Sequence, residues 1–195
     1  MLQFVGESLY TQGQYREAHA YYQLSLDLFR TVGDAVDVGL LLCAIGDTHY
    51  AQGNYDPAIE HHQQSLAIVQ SANLACAEGI ALGSLGNIYE AKGEYHKAKD
   101  YHQQHLVIAQ TLGDQRGCLH AIGNLGNVHT ATENYSEAIA CYQQQLAIAQ
   151  EIGDELGEAI AQKLGDKRSE AQALSNLGNV HLATNDLIQA EADYH

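Results

Sequence analysis

Proline, tryptophan and positive charge are scarce in this chain of 195 residues. Proline occurs once and tryptophan not at all, so most segments can continue as helices without interruption. No stretch approaches the roughly 20 consecutive apolar residues that a membrane-spanning helix needs. Met1 leads directly into the pattern described below, without the signature of a signal peptide. We therefore expect a helical protein of the cytoplasm that does not enter a membrane.

The shortage of basic residues makes the chain strongly acidic. It contains 24 Asp and Glu against 9 Lys and Arg, for a formal net charge of −15. Binding to nucleic acid or to anionic membranes needs Lys and Arg, so neither is expected as a partner. A basic peptide or protein would instead be steered toward such a surface. The expected partner is therefore a protein or a peptide.

Signatures of catalysis and of metal binding are also missing. No Ser, Cys or His set has a recognisable catalytic spacing, and no Gly-rich phosphate loop is present. The histidines are densest at His61-His62 and at His102-x-x-His105, but no carboxylate or thiol completes a metal-binding set. The four cysteines form no C-x-x-C pair and are expected to be small apolar residues in a reducing compartment, a metal or redox role being the alternative: Cys43, Cys76, Cys118 and Cys141. We expect no enzyme activity, no cofactor and no metal.

A short phrase occurs four times along the chain at a spacing of 40 residues. Its copies contain a tyrosine two residues after the first position and an alanine five residues after it, and they begin at Gly13, Gly53, Gly93 and Glu133. A second phrase keeps the same step, as Ile45-Gly46-Asp47, Leu85-Gly86-Asn87 and Leu125-Gly126-Asn127. A strict period of this size is typical of a stack of similar small units, which usually presents a binding surface.

Each 40-residue repeat is predicted to contain two helices. In the second repeat Asp34 is the expected N-cap of helix A, which Gly53 ends. Asn54 is expected to cap helix B, which runs to about Gln70 and holds Pro57 in its first turn, where a missing N–H costs little. Helix B carries a buried stripe at three- and four-residue steps: Ala58, Ile59, His62, Leu66 and Val69.

Small residues recur at fixed places in both helices. Glycine occupies one position of helix A and alanine one position of helix B: Gly46, Gly86, Gly126 and Gly178, and Ala18, Ala58, Ala98, Ala138 and Ala190. Because glycine inside a helix costs about 1 kcal/mol relative to alanine, its recurrence predicts that two helices pass too closely there for a side chain. His62 and His102 replace Tyr22 and Tyr142 in helix B and are therefore expected to be packing residues.

The combination of Leu-Gly, Gly-x-Tyr and alanine at set offsets resembles the tetratricopeptide repeat, a helix-turn-helix unit of usually about 34 residues. The 40-residue form is similar to the subclass of Leu-Gly-Asn-repeat spindle-orientation proteins, kinesin light chains and many bacterial arrays. The resemblance covers nearly the whole chain. It implies an all-α fold, an α-solenoid of antiparallel helix pairs in about five repeats. In such arrays helix A lines a concave groove and helix B forms the outer face.

The expected repeats are residues 1–33, 34–73, 74–113 and 114–153, then an irregular short helix at 154–165 and an incomplete repeat at 166–195. Leu177-Gly178-Asn179 follows the preceding copy by 52 residues instead of 40, and residues 159–170 match residues 147–158 at seven of twelve positions. Either a duplication of 12 residues or the loss of 28 residues from a full repeat explains this. We expect an extra helix near Glu155 to Leu164 and a kink there, as a neutral irregularity or as a hinge.

The two ends lack the polar caps that terminal repeats normally carry. Several apolar residues are expected to be exposed there: Leu2, Phe4, Val5, Ala192 and Tyr194. These ends suggest that the chain is a fragment of a longer array and that it can self-associate through them.

The resemblance also implies a set of peptide-binding residues, because the Asn of Leu-Gly-Asn often hydrogen-bonds the backbone of a bound peptide in this family. By position these are Asn87, Asn127 and Asn179, with Asp47 and Glu7 in their place in the first two repeats. Asn offers both a donor and an acceptor to a peptide unit. Solvated helix polarity or a hydrogen bond within the array is the alternative.

Further groove residues are expected one turn away from this row. Asn124 and Asn176 precede it, and Tyr50, Glu90 and Thr130 follow it. The Lys or Arg by which chaperone-binding arrays hold a carboxylate is replaced, which disfavours an acidic tail as ligand: Cys43, Gly83, Gly123 and Ser175. The predicted site is thus Asp47, Tyr50, Asn87, Glu90, Asn124, Asn127, Asn176 and Asn179.

Two functions are compatible with these features. The first is a non-enzymatic scaffold that binds a peptide or protein segment in the groove formed by the first helix of each repeat. The alternative is a sensory or regulatory segment of a larger signalling, ATPase or protease-like polypeptide, whose effector domain lies outside this chain.

Overall fold

A computed structural model describes residues 2–32, 35–155 and 172–180. Within these ranges the chain consists of helices and short turns, without a strand, and successive helices pack as antiparallel pairs. The predicted all-α solenoid is therefore confirmed. The helices are α1 (Leu2–Thr11), α2 (Tyr15–Val32), α3 (Ala35–Ala51), α4 (Tyr55–Ser71), α5 (Ala75–Ala91), α6 (Tyr95–Leu112), α7 (Gln115–Ala131), α8 (Tyr135–Glu155) and α9 (172–180). None of the helices in the described ranges is both long and apolar enough to cross a bilayer.

The chain divides into two compact units, residues 1–108 and residues 109–195. In the N-terminal unit α3 packs against α2 and α4, and α5 packs against α4 and α3. The core between α2 and α3 includes Tyr22, Leu26 and Ile45, all at most 3% exposed. In the C-terminal unit α7 pairs with α8, and Tyr142 of α8 packs with Leu177 of α9.

The turns after α1, α3, α5 and α7 have a left-handed backbone. The φ angle is 76° at Gly13 and Gly53, 74° at Gly93 and 60° at Glu133. In the second repeat the N–H of Gly53 donates to the carbonyl of Tyr50 and the N–H of Asn54 to that of His49, both at 2.9 Å. These paired bonds form the Schellman motif that ends a helix, so the predicted stop at Gly53 is confirmed.

Asn54 occupies the N-cap position of α4, as predicted, but its side chain does not cap the helix. Its side chain accepts no hydrogen bond from that helix, and its Nδ2 donates instead to Oε1 of Gln52 at 3.3 Å. The N–H of Asn54 already belongs to the turn that closes α3, and its side chain lies beside that turn. Asp114 does cap α7, since its Oδ1 accepts from the N–H of Gly117 at 2.9 Å.

The cysteines were expected to pack as small apolar residues, but not all of them are buried. Cys43 is buried and Cys118 and Cys141 are half-buried, whereas Cys76 is exposed in the first turn of α5. Phe4 and Val5 of α1 are exposed as expected, Phe4 by 72%. Predictions for Asp34, Ala190, Ala192, Tyr194 and the segment 156–165 lie outside the described residues.

The first Gly-Asp pair of the irregular segment does not interrupt the helix before it. Helix α8 continues through Gly153 and Asp154 and ends at Glu155. The extra short helix and the kink beyond that residue stay predictions.

Candidate functional site

One glycine in each of α1, α3, α5 and α7 lies directly under an aromatic or histidine ring of the following helix B. A Cβ built on Gly46 would stand 2.7 Å from the ring of His62, far inside normal contact. The rings of His102 and Tyr142 lie equally close over Gly86 and Gly126, and Tyr22 lies over Gly6. The predicted close approach of the two helices is confirmed, and these glycines make room for the ring.

Three of these four rings, those of His62, His102 and Tyr142, contact side chains of the predicted site from helix B. They are at most 3% exposed, so the prediction that His62 and His102 are packing residues is confirmed. His62 Nε2 lies 3.3 Å from Oδ1 of Asp47, and His102 Nε2 lies 3.7 Å from Oε2 of Glu90. Both contacts are electrostatic, since neither ring N–H is aligned for a hydrogen bond.

In the N-terminal unit the helix-A face carries carboxylates and phenols in two neighbouring rows. Asp47 lies close enough to Tyr10 to raise the pKa of that phenol, although burial is the larger cause. Burial, then Glu7 and Asp47, raises the pKa of Tyr22 to about 12. Burial, then Tyr55 and Glu90, raises the pKa of Tyr50. The three carboxylates thus share one acidic face with these tyrosines, which we call the acidic face: Glu7, Tyr10, Asp47, Tyr50 and Glu90.

His62 adds a cation beneath this face. Burial lowers its pKa, but the carboxylate of Asp47 and the thiol of Cys43 beside the ring together raise it to about 9. The histidine ring itself is fully buried, whereas the side chain of Asp47 is 44% exposed. Asp47 can therefore contact the buried imidazolium and an incoming ligand at once.

In the C-terminal unit a cavity of about 360 Å³ opens between α7 and α9. We call it the amide pocket, because amide side chains dominate its lining: Leu119, His120, Gly123, Asn124, Asn127, Gln145, Gln172 and Asn176. The hydroxyl of Tyr142 donates to Oδ1 of Asn127 at 2.8 Å. Gln172 donates from Nε2 to Oδ1 of Asn176 at 2.9 Å. The hydrogen bond within the array that was the alternative for Asn127 is therefore present, and it orients the amide.

The structure distributes the predicted site residues between these two places. Asp47, Tyr50 and Glu90 belong to the acidic face, and Asn124, Asn127 and Asn176 line the amide pocket. Asn87 and Asn179 are exposed on α5 and α9, and Asn179 does not line the pocket. Their role in binding a ligand stays a prediction.

Sequence reasoning missed Gln145, which reaches the pocket from helix B and is only 7% exposed. Its amide lies over Gly123, where an added Cβ would meet it. The equivalent pairs are Gly83 with His105, and Cys43 with Ser65, whose Sγ and Oγ are 3.1 Å apart. A large residue on helix B thus accompanies glycine on helix A. This pairing of a glycine on helix A with a large residue on helix B is visible in the sequence, and it could have identified Gln145.

The sequence of the chain matches a known repeat family. A family model described as tetratricopeptide repeat matches residues 1–71 and 77–154, together more than half of the chain. No curated protein sequence matches the chain significantly.

Solved structures share the fold at low sequence identity. BtubC (BKLC) from P. vanneervenii superposes with a TM-score of 0.84 at 21% identity, over 98% of this chain and 75% of that one. A STAND signal-transduction ATPase with a tetratricopeptide repeat sensor, from Pyrococcus horikoshii, gives a TM-score of 0.80 at 17% identity, over 98% of this chain. A Rap protein complexed with competence and sporulation factor gives 0.79 at 16% identity, over 99% of this chain. The chain spans 28% of the STAND protein and 51% of the Rap protein.

Proposed function

The chain belongs to the tetratricopeptide repeat family, and from that premise we propose that it is a non-enzymatic module that binds an extended segment of a partner protein. Within each unit such a segment lies against the first helices of the repeats, namely α1, α3 and α5 in the N-terminal unit and α7 and α9 in the C-terminal unit. The acidic face is the observation that carries this proposal. It places three carboxylates beside two phenols on neighbouring helices A.

A basic segment fits the acidic face best. Lys and Arg form charge-assisted hydrogen bonds with carboxylates, and their cations also interact favourably with phenol rings. The net charge of −15 adds a long-range attraction that speeds the approach of a basic partner. The Rap protein with this fold holds competence and sporulation factor, which supports a ligand-binding use of the fold.

Selection from a phage-displayed library of random 12-residue peptides tests the proposal. We expect the immobilised chain to enrich peptides that contain Lys or Arg. The double variant Asp47→Asn/Glu90→Gln removes two charges from the acidic face and should bind the enriched peptides at least about tenfold more weakly.

The matched control is Asp27→Asn/Glu60→Gln, which removes two charges from exposed positions of α2 and α4. It should bind as the wild type does, apart from a small effect at low salt. Equal weakening by both double variants, or no enrichment of basic peptides, would contradict a specific role of the acidic face.

A sensory or regulatory segment of a larger polypeptide is the second candidate. The observation in its favour is the superposition with the STAND protein, which contains a tetratricopeptide repeat sensor. An immunoblot of the native source with an antibody against this chain tests it. A band far above 21.2 kDa would support a larger polypeptide, and a band at that mass would contradict it.

A further inference from the structure

We propose that the amide pocket is a specificity site for a primary carboxamide, the side chain of a Gln or Asn residue in the bound segment. This inference rests on the proposed function, because it assumes that a protein segment lies along α7 and α9. The pocket of about 360 Å³ has the size of a small ligand site and is ample for one side chain.

Gln145 supplies the acceptor that the ligand must satisfy. Its Nε2 donates to the carbonyl of Leu119 at 3.3 Å, and since a carbonyl only accepts, this bond fixes which end of the amide is the oxygen. The other end, Oε1, is buried and has no hydrogen-bond partner among the described residues. Burial of an acceptor without a partner is energetically costly, so a ligand donor that reaches Oε1 is strongly favoured.

The opposite chemistry comes from the asparagines. The carbonyl oxygens of Asn127 and Asn176 already accept from Tyr142 and from Gln172. Each of the two amides therefore has its NH₂ group at the end opposite that bond, and because both residues line the pocket, these groups are its candidate donors. The pocket thus combines a buried acceptor that lacks a partner, Oε1 of Gln145, with the NH₂ donors of Asn127 on α7 and Asn176 on α9.

A carboxamide matches this combination better than other side chains. Its NH₂ group can donate to Gln145 while its oxygen accepts from Asn127 or Asn176. A carboxylate would face Oε1 of Gln145 without a proton to donate, and an ammonium group would face NH₂ donors without an acceptor of its own. None of the described lining residues is Asp, Glu, Lys or Arg, so neither charge would find a counterion there.

The pocket is a departure from the repeat and not a property of every unit. The first two repeats have Ser25 and Ser65 at the position of Gln145, and Ser65 donates to the carbonyl of Gly39 at 2.7 Å. Serine is too short to leave a second polar end over the helix-A glycine. Gln145 with Gly123 therefore provides a side-chain amide where the first two repeats have serine and the third has His105.

Three capped amino acids of nearly the same shape test the inference: the N-acetyl methylamides of glutamine, glutamate and methionine. All three contain the same backbone amides, so a difference between them reports the side chain. Titration into the ¹⁵N-labelled chain should shift the side-chain amide signals of Gln145 and Asn127 with the glutamine compound. The glutamate and methionine compounds should bind at least about tenfold more weakly, as expected when a buried polar group is left unpaired.

Two variants connect the effect to Gln145. Gln145→Met keeps the side-chain volume without the amide, and Gln145→Ser restores the residue of the earlier repeats. Both should abolish the preference for glutamine, and thermal unfolding followed by circular dichroism should show that at least one retains the fold. Retention of the preference in a folded variant, equal binding of the three compounds, or binding of none would overturn the inference.

The basic peptides selected on the acidic face distinguish the two proposals. If they still bind while the glutamine compound shows no preference, only the carboxamide site is refuted. If neither they nor the glutamine compound binds, the proposed function fails as well.

Discussion

The hydroxyl of Tyr142 in α8 donates a hydrogen bond of 2.8 Å to Oδ1 of Asn127 in α7. A residue of the second helix of the repeat therefore determines which end of a predicted ligand-binding amide is presented. The same position of helix B is Tyr22, His62 and His102 in the other repeats. His62 lies 3.3 Å from the carboxylate of Asp47, the residue equivalent to Asn127, but it forms no hydrogen bond with it.

Removal of the Tyr142 hydroxyl should release Asn127. We expect Tyr142→Phe to lower the free energy of unfolding by roughly 1 kcal/mol, the usual net value of one such hydrogen bond. The side-chain amide signal of Asn127 in a ¹⁵N spectrum should shift or broaden as well. Tyr135→Phe is the control, because the Tyr135 hydroxyl forms no hydrogen bond with the described residues, and it should leave that signal unchanged. An unaltered Asn127 signal in Tyr142→Phe would show that the hydroxyl does not orient the amide.

Two glycines of α5 should respond in opposite directions to alanine. Gly86→Ala places a methyl group inside the ring of His102 and should destabilise the chain by about 1–3 kcal/mol, as overpacking does. At Gly79 the added Cβ would lie 3.4 Å from the ring of His105, an ordinary contact. Gly79→Ala should therefore be neutral or stabilising by up to about 1 kcal/mol, through higher helix propensity. Urea denaturation measures both, and equal effects would argue against the close approach at Gly86.

Glu133 occupies the left-handed turn position that is glycine in the other repeats, with φ of 60°. Because a side chain disfavours this conformation, we expect Glu133→Gly to raise the free energy of unfolding by about 1 kcal/mol. The reverse change, Gly93→Glu, should lower it by a similar amount, since a Cβ at Gly93 meets no atom within 4 Å and only the backbone responds. Thermal melting of both variants tests this, and a loss of stability in Glu133→Gly would contradict it.

Asp47 should stabilise the fold in a manner that depends on pH. The pKa of His62 is raised to about 9 from an ordinary value of 6.5, so the folded state retains a proton that the unfolded state loses. The resulting stabilisation is complete below pH 6.5 and disappears as the pH rises through 9. We expect this stabilisation to be on the order of 2 kcal/mol, which is less than the raised pKa alone would give. Solvent reaches the side chain of Asp47 and weakens its attraction to His62.

Urea denaturation of wild type and Asp47→Asn at pH 6, 7.5 and 9.5 measures this contribution. The wild type should be more stable at pH 6, and the difference should shrink as the pH rises. Glu60→Gln, which removes an exposed charge from α4, should show no such trend. A difference that stays constant with pH would mean that His62 is neutral throughout.

The spacing of residues along the chain is enough to predict the repeat, its two helices and its core, because each of these depends on local periodicity. Gly53 predicted the end of α3 since a left-handed turn needs glycine there. The recurring Gly46, Gly86 and Gly126 predicted the close helix pair, since their cost in a helix needs a compensating contact. Spacing also predicted Asn54 at the N-cap of α4, but not that its side chain bonds to Gln52 instead of to the helix.

The contacts of the site residues, in contrast, depend on how the helices pack in three dimensions. Whether Asn127 offers its carbonyl or its NH₂ depends on Tyr142, which is 15 residues away in the chain and approaches from another helix. The same holds for Gln145, which in the sequence is one polar residue among several in α8 and in the fold is a buried amide over Gly123. Such relationships depend on the orientation of side chains between packed helices, which the spacing of residues along the chain does not encode.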